Sequence, residues 1–147
     1  MNTKPEQAVN NFKEGSNCSQ AVLSVYAEES GLSRKTALKI ARGFGGGMGR
    51  MAQTCGAVTG AFMVLGLKYG NADIHDKEAR EKIYGLVREF VRRFESRNSS
   101  IVCRELLGCD ISKPEGAMAA KENGLFTSVC PELVRDAAEI LDEMINE

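Results

Sequence analysis

Between Cys55 and Leu67 the chain runs for thirteen residues without a charge, "CGAVTGAFMVLGL", and three of them are glycine. A membrane span needs about 20 such residues. This stretch is shorter, so it is expected as a helix buried on all sides within a folded domain, running over residues 54–69. Thr54 is its expected cap, and Cys55 is expected to open it. Gly56, Ala57, Gly60 and Ala61 give it a face of small residues, which lets a second backbone come close. The same face would suit a homodimer.

A helix buried all round needs other elements to enclose it, and the rest of the chain offers them as further helices. Pro5 suits the first turn of a helix over residues 5–14. Residues 17–30 place Ala21, Val22, Val25 and Tyr26 on one stripe, with Gly31 as the stop. "LSRKTALKIARGF" begins at a Ser33 cap and runs to about Arg42. Residues 76–97 repeat Ile83, Leu86, Val87, Phe90, Val91 and Phe94 at three and four residues. On that helix Arg88, Arg92, Arg93 and Arg97 alternate with Glu89 and Glu95, as on a solvated face. A short helix over "IVCRELLG" ends at Gly108, another covers Pro114–Glu122, and the last begins at "CPELV" with Leu133, Val134, Ala137, Ile140, Leu141 and Met144 inward. The predicted fold class is all-α: one cysteine-rich helical bundle spanning residues 1–147, a length suited to one core.

Composition narrows the function. The net charge is −1, Trp is absent and aromatic residues make up 6%. Nothing here favours nucleic acid or a membrane surface as partner. The polar opening "MNTKPEQAVNNFKEG" does not read as a secretory leader, so a cytoplasmic location is expected.

Five cysteines remain to be explained: Cys18, Cys55, Cys103, Cys109 and Cys130. An odd count in a reducing compartment points away from a disulfide scaffold and toward metal binding or redox work. All five are therefore candidate catalytic or metal-ligating residues. Cys18, Cys55 and Cys130 fall at predicted helix N-termini, where free N–H groups and the helix dipole favour a thiolate and are expected to lower the thiol pKa. Cys103 and Cys109 flank Gly108. If Gly108 ends its helix in the left-handed conformation, Cys109 folds back toward Cys103, and the two could form a dithiol or share a metal. No C-x-x-C spacing occurs and His75, in a polar turn, stands alone, so an iron–sulfur cluster or zinc would need thiols converging from separate helices.

The loop "GFGGGMGR" lacks the lysine–serine ending of a phosphate-binding loop. Its glycines are better read as allowing close backbone packing around a buried reactive site. Gly45, Gly46 and Gly47, with Gly56, are the candidate cofactor-binding positions, their N–H groups available to negative charge on sulfur.

These blocks together resemble the redox-active protein family labelled C_GCAxxG_C_C. The likeness is carried by "GSNCSQAVL", "GFGGGMGRMAQTCGAVTGAFMVLGLKYG", "CRELLGCD" and "CPELVRDAAEIL", which cover residues 15–142 or so. The middle block here reads Cys55-Gly56-Ala57 where the label has Gly-Cys-Ala, with Gly60 in place. The resemblance implies redox activity through Cys18, Cys55, Cys103, Cys109 and Cys130, with an unknown redox partner and no settled substrate. A similar domain in multi-haem iron–sulfur proteins adds to the iron–sulfur reading, while the lack of C-x-x-C-H argues against attached haem. Two mechanisms stand side by side: thiol–disulfide exchange and metal ligation. The alternative from another class is a non-catalytic helical binding or dimerisation module whose cysteines only pack.

Overall fold

The computed structural model describes residues 2–147 and is an all-α bundle, as the periodicities predict. Three helices form its centre. α2 (Cys18–Tyr26) and α4 (Gly56–Tyr69) pack directly on each other, and α9 (Cys130–Ile145) closes the core against both. Around them lie α1 (Lys4–Lys13), α3 (Arg34–Ala41) and the long α5 (Lys77–Asn98). α6 (Cys103–Leu107), α7 (Pro114–Glu122) and the single-turn α8 (Leu125–Ser128) cover one end. Among the described residues no helix is long and apolar enough to cross a membrane.

Local chemistry explains most boundaries. Thr3 and Asn17 each build a reciprocal capping box, with Glu6 and Gln20 three residues on. Ser33 and Asp76 cap α3 and α5 through their side chains. Gly31 and Gly108 are both left-handed, at φ 85° and 72°, and terminate the segments before them. α2 ends earlier than expected, at Tyr26, and passes into a 3-10 turn over Glu28–Ser30 before Gly31. α8 has no apolar periodicity of its own and was not foreseen.

The small-residue face of α4 is used inside the chain. A methyl group on Gly60 would lie 2.8 Å from the Ser19 carbonyl, and one on Gly56 would lie 3.0 Å from the Ser19 amide. These two glycines let α2 and α4 approach at backbone distance, and Ser19 and Val22 of α2 fill the face. α4 is buried over Gly56–Ala61 and again at Val64 and Leu65. α2 is buried nearly all round, polar residues included. Ser19 accepts from the Thr59 hydroxyl, Ser24 from the Asn11 amide, and the Gln20 amide donates to Leu38 O at 2.9 Å. Satisfied in this way, these groups cost little to bury.

α5 carries less of the core than its period suggests. Phe90 and Phe94 are fully buried, whereas Ile83, Leu86, Val87 and Val91 are half-buried. Three of its arginines, Arg92, Arg93 and Arg97, pair with carboxylates, while Arg88 stays on the exposed face. Arg92 and Arg93 pair with Glu89, and Arg97 reaches Asp136, Glu139 and Glu143 of α9.

Candidate functional site

The N-termini of four helices meet at a cavity of about 750 Å³. Cys18, Cys55, Cys103 and Cys130 all line it. Cys18 is the first residue of α2, Cys103 of α6 and Cys130 of α9, while Cys55 is the cap residue of α4. Thr54, expected as that cap, instead forms an isolated antiparallel bridge with Val102. The bridge is a clamp: the Cys55 amide donates to Ile101 O at 2.8 Å, and the Cys103 amide donates to Gln53 O. Each cysteine is one residue beyond the bridge on its own segment, so both side chains leave the same face of the ladder. The clamp thus brings together thiols 48 positions apart in sequence.

The glycine loop forms the cavity's other wall. Gly46, Gly47, Met48, Gly49 and Arg50 all have φ between 59° and 70°, a turn of left-handed backbone. It is held by long-reach bonds, among them Gly49 N–H to Gly43 O at 2.8 Å and Gln53 N–H to Gly47 O at 3.0 Å. Met48 and Arg50, and Ala52 beyond them, adopt this conformation without being glycine, at a cost of about 1 kcal/mol or more each. Glycine is required at Gly47, where a methyl group would sit 2.6 Å from the Gln53 amide, and at Gly45, where it would meet Asn17 Cβ at 2.8 Å. Gly45, Gly46, Gly47 and Gly56 all line the cavity.

Of the three thiols expected to be acidified by helix N-termini, only Cys130 is lowered, and through a neighbouring thiol rather than its helix, while Cys18 and Cys55 are raised. Cys130 is held below the usual thiol range by a hydrogen bond from the Cys18 side chain. Cys18, which keeps the proton, is pushed up by that bond, by burial and by the neighbouring sulfurs of Cys55, Cys130 and Cys103. Cys55 is pushed up to about 11. Burial is the reason, and it outweighs the amides of Ala57 and Val58, which favour the thiolate. Those two amides belong to α4 itself, so the N–H groups acting on Cys55 are not those of the glycine loop. Cys103, for which no shift was foreseen, is pushed up to about 12 by burial and by Cys55, Cys130, Cys109 and Asp110.

Cys109 is not among the residues that line the cavity. Gly108 is left-handed as predicted, and Cys109 packs half-buried against the small cluster that includes Cys103, Ile111 and Cys130. Its sulfur lies 3.9 Å from Leu107 O. All five thiols are free. Among the described residues no group of three or more His, Cys, Asp or Glu side chains is arranged to hold a metal ion. Four thiols are a suitable donor set for a soft metal, but their placement does not fit one. His75 is exposed in its turn, with its amide bonded to Asp73, as expected of a surface residue.

Sequence reasoning missed the charged lining residues Arg42, Arg50 and Lys121; the first two flank the glycine loop, and Lys121 comes from α7. A family model described as "Putative redox-active protein (C_GCAxxG_C_C)" matches residues 16–144. No curated protein and no solved structure matches the chain.

Proposed function

The chain belongs to the C_GCAxxG_C_C family of redox-active proteins, and from that premise we propose that it works by thiol–disulfide exchange, with Cys18 and Cys130 as the redox couple. The observation that carries this reading is that these two thiols open α2 and α9 and line one cavity, where each shifts the other's proton affinity. Cys130 supplies the nucleophile, because the thiolate and not the thiol attacks. Cys18 holds its proton against Cys130 and is placed to resolve a mixed disulfide formed there. Cys55 and Cys103 stay protonated at neutral pH and stand next to the couple, so a disulfide formed at Cys130 could pass to either. A reducing, cytoplasmic setting keeps all of them as thiols.

The thiol pair favours exchange over ligation, since the lining side chains form no ion-holding group. Competition labelling with iodoacetamide at pH 7 tests the choice. One residue, Cys130, is expected to label at least tenfold faster than Cys55 and Cys103, and Cys130→Ser is expected to remove that phase. Uniform slow labelling would leave only an inert helical module. Iron or zinc near one per chain after anaerobic purification, lost in Cys103→Ser, would replace exchange by ligation.

A further inference from the structure

The cavity's charged lining is of one sign. Arg42, Arg50 and Lys121 line it, and no carboxylate does. All three are exposed, and among the described residues none is in a salt bridge. The contrast with α5 is sharp, because Arg92, Arg93 and Arg97 each have carboxylate partners there. Unmatched cations on a concave, partly apolar surface focus a positive potential into it.

Backbone donors add to the same wall. The amides of Met48 to Gln53 all donate to backbone carbonyls of the loop, whereas those of Gly46 and Gly47 have no hydrogen-bond acceptor among the described residues. Successive free amides in left-handed backbone are a recurring way to hold an anion. Behind this wall the surface turns apolar, with Leu107, Ile111, Phe126 and Leu133 beside the thiols. A ligand suited to the cavity has an anionic end for the rim and a less polar body directed at the sulfurs. A volume of about 750 Å³ admits a small organic molecule.

We propose that the substrate is a small organic disulfide whose flanking groups are anionic, bound at Arg42, Arg50, Lys121 and the Gly46–Gly47 backbone with its S–S bond against Cys130. The proposal rests on the thiol–disulfide reading above and adds the substrate class to it. The Cys130 thiolate attacks one substrate sulfur, the S–S bond breaks, and half the substrate leaves as a thiolate. The Cys18 thiol then gives up its proton and attacks Cys130, which releases the second half. The protein pair is oxidised by two electrons to a Cys18–Cys130 disulfide and the substrate is reduced to two halves, one taking the proton that Cys18 gives up and the other leaving as a thiolate that solvent can protonate.

Single-turnover oxidation of the reduced protein by three probes tests this: dianionic 5,5'-dithiobis(2-nitrobenzoate), neutral 2,2'-dithiodipyridine and cationic cystamine. Each rate is divided by the probe's rate with 2-mercaptoethanol, which removes intrinsic reactivity. The anionic probe is expected to have a normalised advantage over the cationic one of about tenfold at low salt, declining as salt rises. The combined variant Arg42→Gln, Arg50→Gln, Lys121→Gln is expected to lose that advantage while keeping its rate with the neutral probe. Lys121→Gln alone, on the exposed face of α7, is expected to lose about half of it and guards against misfolding of the triple variant. Equal normalised rates for the three probes, or a preference unchanged in the variants, would overturn the substrate class alone. If the neutral probe produces no Cys18–Cys130 disulfide by peptide mapping, the exchange reading itself fails.

Discussion

Two regions of this bundle, the face between α5 and α9 and the thiol cavity, use the same kinds of residue for opposite purposes. Along α5 and α9, cations stand beside carboxylates, and Arg97 alone reaches three of them. Around the thiol cavity, among the described residues, the cations have no such partners, and the amides of Gly46 and Gly47 have no acceptor. Charge that is matched locally serves the fold and leaves nothing to bind. Exposed, unmatched cations beside four thiols leave a positive potential that a ligand's counter-charge can answer.

The comparison can be broken first at the core. Phe94 is fully buried and stacks on Phe90 at 6.0 Å between ring centroids. Phe94→Ala is expected to cost about 4 kcal/mol by urea unfolding, yet to leave the labelling rate of Cys130 in the folded protein unchanged. A changed rate would mean that the two regions are coupled. Gly47→Ala is the counterpart at the cavity. It forces a side chain into left-handed backbone and against the Gln53 amide, and is expected to cost about 3 kcal/mol. In contrast to Phe94→Ala, it is expected to change the Cys130 labelling rate as well.

Alkaline pH also separates the two regions. Cys55 and Cys103 keep their protons up to about 11 and about 12 in the folded state, against about 8.5 for an unfolded thiol. Between those values the folded chain binds protons that the unfolded chain has lost, so stability falls as pH rises through that window. The Cys130 thiolate acts in the opposite sense, since a lowered thiol stabilises the fold above its own pKa, but it is one thiol against Cys18, Cys55 and Cys103. Raising the pH from 7 to 10 is expected to cost about 4 kcal/mol, about 2 for each of Cys55 and Cys103, with Cys18 and Cys130 acting in opposite senses. Most of that loss is expected to vanish in a Cys55→Ala, Cys103→Ala double variant measured against its own stability at pH 7. A wild-type stability that is flat to pH 10 would contradict the burial of these thiols. The smallest effect is expected at the matched face, where Arg97→Ala removes exposed pairs worth about 1 kcal/mol or less together and sensitive to salt.

What the sequence reveals follows the range of the interactions involved. The boundaries of α3, α7 and α9, the left-handed stops at Gly31 and Gly108, and the inward stripe of α9 from Leu133 to Met144 depend on residues within a few positions, and they are legible. Placement of Cys18, Cys55 and Cys130 at helix N-termini is legible for the same reason. The central burial of α2 is hidden, because Ser19, Gln20 and Ser24 look solvent-facing until Thr59, Leu38 and Asn11 satisfy them. The raised pKa values of Cys18 and Cys55 are hidden as well. The helix N-terminus is written locally, but burial is tertiary, and at Cys55 it exceeds what the Ala57 and Val58 amides supply. The bridge between Thr54 and Val102, which brings Cys103 to the cavity, has no sequence signal at all.

The central claim is that Cys18 and Cys130 form the redox couple. The most direct measurement oxidises the reduced protein with one equivalent of 2,2'-dithiodipyridine and maps the disulfide by peptide mass spectrometry. A Cys18–Cys130 bond as the first product, absent in Cys18→Ser, where the probe remains attached at Cys130, is the result expected. A first disulfide that joins Cys103 to Cys109 and leaves Cys18 and Cys130 reduced would contradict the account.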